Sequence, residues 1–76
     1  MKLRNINSKK VVRAFQKMGL KVVHQAGTHV ILKGIINGQQ KTISIPVHHK
    51  EIPPGTLTDI INNQACISRE QFFQYY

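Results

Sequence analysis

Acidic residues are scarce in this chain. Three Asp and Glu stand against eleven Lys and Arg, a formal charge of +8 at pH 7. Such an excess attracts a polyanion through counterion release, or an acidic protein that neutralises it, and nucleic acid is the favoured partner class. The charge is also unevenly spread. Lys2, Arg4, Lys9, Lys10, Arg13, Lys17, Lys21, Lys33 and Lys41 all precede the acids Glu51, Asp59 and Glu70. Cysteine is limited to Cys66, which excludes an internal disulfide, and no Cys/His array has zinc-finger spacing; a thiol-reducing cytoplasm is the expected compartment. No apolar run approaches the roughly 20 residues that cross a bilayer. The opening "MKLRNINSKK" has no hydrophobic stretch behind its basic residues, so it reads as the N-terminus of a cytoplasmic protein rather than a signal peptide. Internal repeats and low-complexity segments are lacking too. Residues 1–76 read as one domain, small enough that its stability margin is thin.

What is present is a clear order of elements. Asn7 or Ser8 can N-cap a helix running to Met18, with Gly19 as a left-handed C-cap. Val11, Val12, Phe15 and Met18 fall on one side of it, and Lys10, Arg13 and Lys17, with Lys9 adjacent, on the other. Three β-rich runs follow: "LKVVHQ" (20–25), "THVILK" (28–33) and "KTISIPV" (41–47). Ala26-Gly27 offers a tight turn between the first two. Asn37-Gly38 lies between the last two and is a strong hairpin signal, because a type I′ turn needs positive φ at both centres. Pro46 lacks an N–H, which suits an edge strand or a strand ending there. A second helix is expected over about 54–65, and Ser68 with Gln71 forms a capping box before a short C-terminal helix. The architecture is α+β: a three-stranded antiparallel sheet with helices on one face and the other face partly open.

Alternation then locates His29. Val30 and Leu32 share one face of the second strand, and His29, Ile31 and Lys33 the other. If Val30 and Leu32 join Ile43 and Ile45 under the helices, His29 points to the open face, near the hydroxyls of Thr42 and Ser44 and the ammoniums of Lys33 and Lys41. A register slip of one residue buries it instead. An outward imidazole among cations suits phosphodiester chemistry, because it takes or returns a proton near neutral pH. A surface histidine with no role is the plain alternative.

At this point the chain resembles the HicA family of toxin mRNA interferases. The likeness rests on a string of elements in order: a short amphipathic helix ending in Gly19-Leu20, "VVHQAGTHVIL", "ISIPVHHKEIPPGTLTDIINNQACIS" and a closing "EQFF". It covers nearly the whole chain, and the specificity lies in order and spacing. The resemblance implies a double-stranded-RNA-binding-domain-like α-β-β-β-α fold, endoribonuclease activity on mRNA, and a HicB-like antitoxin that covers the site. It puts the catalytic histidine on His29, with Gly27 supplying the unusual turn backbone and Thr28 keeping the hydroxyl of the family's serine. Three departures stand out. Ala26 replaces a frequent basic residue, Val30 a frequent second histidine, and Cys66 a helix-closing glycine, where it must either take a strained positive φ or let the helix end otherwise.

His48 matches the family's Val-Pro-Val-His position and is a secondary candidate for positioning substrate, with a structural role as its alternative. His24 is placed on the RNA surface with Lys9, Lys10, Arg13, Lys17, Lys33 and Lys41, whose plain reading is a solvated face; His49 matches no family role. His48 and His49 are adjacent, and no acid lies close in sequence to His24 or His29, so neither a facial triad nor a zinc spacing is visible; no metal or cofactor is expected. Phe15, Phe72 and Phe73 read as core, and Tyr75 and Tyr76 as a fraying end. Two rivals to a metal-independent ribonuclease remain: a catalytically silent RNA-binding module of the same fold, and a protein-interaction domain whose charge matches an acidic partner.

Overall fold

Asn7 opens the first helix, as its residue type predicts. Its side chain accepts the Lys10 N–H at 3.0 Å, satisfying one donor left unpaired at a helix start. In the computed structural model, which describes residues 5–76, a two-residue strand β1 (Ile6–Asn7) leads into α1 (Ser8–Lys17), closed by Met18 and followed by Gly19 at φ +111°. Lys2 and Arg4 lie outside the described residues.

The meander forms β2 (Lys21–Ala26), β3 (His29–Ile36) and β4 (Gln39–Pro46), in that spatial order and antiparallel. Asn37 and Gly38 have φ of +52° and +79° and join Ile36 to Gln39 by the two-residue turn foreseen. The β2–β3 turn sits one residue later than expected: Ala26 still pairs with His29, so Gly27 and Thr28 form it, with Gly27 at φ +32°. β3 is longer than "THVILK" because it runs on through Gly34. A Cβ on Gly34 would stand 2.8 Å from Leu20 Cα, so glycine alone lets β3 touch the α1–β2 connection.

A second pairing was not visible in the sequence: β1 pairs with β5 (Glu51–Ile52), matching Ile6 to Ile52 and Asn7 to Glu51. Next, α2 (Pro54–Asp59) continues without a break as a π-helical turn, Ile60–Ala65, so the expected helix has the expected ends but a widened second half. Cys66 takes the left-handed conformation, φ +56° and ψ +48°, the strained one of its two options. Ser68 then accepts the Gln71 N–H at 3.0 Å and caps α3 (Arg69–Tyr75).

All helices pack on one side of the sheet. Val11, Ala14 and Phe15 of α1 and Leu57, Ile60 and Ile61 of the second helix bury Val30, Leu32, Ile43 and Ile45. Phe15 and Phe72 meet at 5.8 Å between ring centroids. The chain end is tied down rather than frayed: Tyr76 stacks on Phe72 at 5.7 Å, and its hydroxyl accepts the Asn7 N–H at 3.0 Å.

Candidate functional site

His29 begins β3, directly opposite Ala26 on β2 and Pro46 on β4. Its neighbour Val30 is buried at 6% exposure, so the pleat turns His29 to the open face, where it is exposed. The outgoing Ser44 N–H is taken by Gln64 at 2.8 Å, on β4's outer edge. Pro46, two residues on, therefore has its missing N–H on that same outer side, which makes His29–Pro46 a close, non-hydrogen-bonded pair. Thr28 Oγ1 lies 2.9 Å from His29 Nδ1. This contact occupies one ring nitrogen and leaves Nε2 for other work.

A hollow of about 290 Å³ opens beside the imidazole. Its walls include His29, Pro46, His48, His49, Glu51 and Thr56, drawn from β3, β4, the connection to β5, β5 itself and the first turn of α2. No pattern of spacing in the sequence signals the whole meeting: the histidine pair follows Pro46, the partner of His29 on β4, whereas Glu51 is held by the β1–β5 pairing. Although His and Glu are metal-ligand types, no three of His, Cys, Asp or Glu among the described residues are grouped to hold a metal ion.

The open face continues as rungs. Beyond His29 comes Ile31 with His24 and Ser44, then Lys33 with Lys21 and Thr42. A register shift between Val22 and His24 puts both Lys21 and His24 on this face, which simple alternation in "LKVVHQ" does not permit. His24 is diagonal to His29, a spacing of roughly 7–8 Å. The sequence reading did not place Lys21 on this face. Lys33 lies four residues along β3 from His29, roughly 13 Å away at the usual rise. Lys41 is a correction: it pairs with Gly34, half-buried on the helix-facing side, because it shares the parity of Ile43 and Ile45.

The cations of α1 form a separate surface. Lys9, Lys10, Arg13 and Lys17 are exposed, but α1 lies on the sheet's covered side, so its ridge and the His29 face belong to opposite layers. Lys9 alone of the four reaches the His29 end, bordering hollows beside Gly27 and beside His48 and His49. Lys10 Nζ sits 5.7 Å from the Tyr76 ring centroid, a cation–π contact with the chain's own end.

A family profile describing the HicA toxin of bacterial toxin–antitoxin systems matches residues 8–65, more than half of the chain. The chain belongs to the HicA toxin family. It is thus the toxin of a toxin–antitoxin system, and its α-β-β-β-α order with the three-stranded antiparallel sheet is the double-stranded-RNA-binding-like fold expected of a HicA toxin. No curated protein gives a significant match. Within the HicA pattern, the geometry separates the departures. Val30 faces the core, so a non-histidine there takes nothing from the open face. Ala26 stands opposite His29, so that rung carries no cation.

Proposed function

We propose that this HicA toxin is a metal-independent endoribonuclease that cleaves mRNA in the cytoplasm, with His29 as general acid/base, and that a HicB-like antitoxin silences it by covering the His29 face. The observation that carries the reading is the setting of His29: exposed, at the wall of a hollow, with Nδ1 engaged by Thr28. In the tautomer whose Nδ1–H donates to Thr28 Oγ1, Nε2 has a free lone pair to take the 2′-OH proton, and the same contact steadies the imidazolium that results. The 2′-oxygen then attacks phosphorus. Backbone and side-chain donors around the hollow favour the charge that develops, while Lys33, Lys21 and His24 offer phosphate contacts along the sheet, and Lys9 one at its end.

The test is cleavage of end-labelled RNA by purified protein in excess chelator. His29→Ala is expected to lower kcat/KM by about 10²–10⁴-fold with folding and RNA binding retained. Undiminished cleavage by the variant rules out the site. A second reading, a catalytically silent RNA-binding module, draws on Ala26, which leaves the rung of His29 without a cation; RNA binding with no cleavage by the wild type supports it.

A further inference from the structure

The segment that carries His48 and His49 is fastened at both ends. Val47 N–H donates to Thr28 C=O at 2.8 Å, next to His29. At the other end stands Ser8, a polar residue buried at 2% exposure. Its N–H donates to Lys50 C=O at 2.9 Å and its hydroxyl to His49 C=O at 2.9 Å. Between these clamps the two imidazoles lie 4.1 Å apart, centroid to centroid. Both are exposed, and both line the same hollow as His29.

Cleavage of a phosphodiester by its own 2′-OH needs two proton transfers, one at each end of an in-line displacement. The attacking and leaving oxygens are on opposite sides of phosphorus, so a base on one wall calls for an acid on another. We propose that the His48–His49 pair supplies this acid, an inference that rests on the nuclease reading above. His29 Nε2 takes the proton of the 2′-OH, and the 2′-oxygen bonds to phosphorus. The bond from phosphorus to the 5′-oxygen breaks, and an imidazolium of the pair gives its proton to that oxygen. One proton is removed and one delivered, leaving a 2′,3′-cyclic phosphate and a 5′-hydroxyl, with no further reactant. The charged and titratable groups that face the pair are His29 from β3, Glu51 from β5, Lys50 beside it in the chain, and Lys9 from α1.

The experiment compares RNA with a ribonucleotide 3′-(4-nitrophenyl) phosphate, whose leaving group departs without a proton. The double variant His48→Gln/His49→Gln should lose about 10²-fold or more on RNA and only a few-fold on the activated ester, whereas His29→Ala loses on both. The single variants then show which ring carries the proton. The unaltered protein gives a check independent of any variant's folding. Its kcat/KM on RNA should rise with pH as the base is freed and fall as the acid is lost, and the falling limb should vanish on the ester. Equal losses on both substrates, no loss, or a falling limb that persists on the ester overturns the assignment. So does a leaving-group-dependent loss confined to Glu51→Gln or His24→Gln, which moves the acid to that residue. A wild type that cleaves neither substrate removes the nuclease reading itself, and this inference with it.

Discussion

Thr28 and His29 are adjacent in the chain, yet their contact depends on the turn between β2 and β3. The Thr28 hydroxyl is 2.9 Å from Nδ1, and a net hydrogen bond is worth about 1 kcal/mol, less than a factor of ten in rate. Thr28→Val should therefore lower kcat/KM by about five- to tenfold, and Thr28→Ser should restore it, as measured on a labelled RNA. Cys66 illustrates the opposite kind of residue, one whose backbone is strained with no visible chemical return. At φ +56° a side chain costs about 1–2 kcal/mol that glycine avoids. Against that, glycine loses more freedom on folding, so Cys66→Gly should stabilise the fold by about 0.5–1 kcal/mol in urea titration and leave cleavage unchanged.

At the scale of elements, the outer edge of β4 is closed by side chains rather than by a strand. Gln64 accepts the Ser44 N–H at 2.8 Å and donates to Asp59 at 3.3 Å, and Asn63 also donates to Asp59, at 2.8 Å. These bonds, Asn63 first and Gln64 second, hold the Asp59 carboxyl below its ordinary value of 3.8. A carboxylate depressed on folding stabilises the fold above its unfolded pKa, and that contribution is lost as pH falls through the lower folded pKa. The thermal midpoint of wild type should therefore drop more steeply than that of Asp59→Asn as pH is lowered from about 4. The helix and strand types of these elements were legible because apolar spacing sets them. The β1–β5 pairing was not, since each strand is two residues long and has no period to read. The π-helical turn was equally hidden, because its side-chain pattern is that of an ordinary helix.

For the molecule as a whole, the cations of α1 and those of the sheet's open face lie on two separate layers. Lys21 and Lys33 face each other across β2 and β3, a like-charge pair that costs a few tenths of a kcal/mol in a sheet and gains meaning if a phosphate backbone lies over it. Neutralising both, as Lys21→Gln/Lys33→Gln, should flatten the dependence of log K on log salt by about 0.7 per cation for single-stranded RNA. The same change at Arg13 and Lys17, on the far layer, should leave the slope nearly unaltered. Fluorescence anisotropy across a salt series measures both.

The sequence by itself determined the order of the helices and the three meander strands, the Asn37-Gly38 turn, the caps at Asn7 and Ser68, and the face on which His29 stands. Each of these follows from near neighbours: the side-chain period of a strand, the φ preference of a turn, or a hydroxyl or amide within reach of a helix start. Tertiary structure alone decided the company His29 keeps. The bulge in β2 brought Lys21 and His24 onto its face, the short β1–β5 pairing carried Glu51 to its hollow, and the ties of Val47 to Thr28 and of Ser8 to His49 and Lys50 hold the histidine pair there. Those outcomes depend on how distant segments close upon one another around a shared core, and no local spacing encodes that.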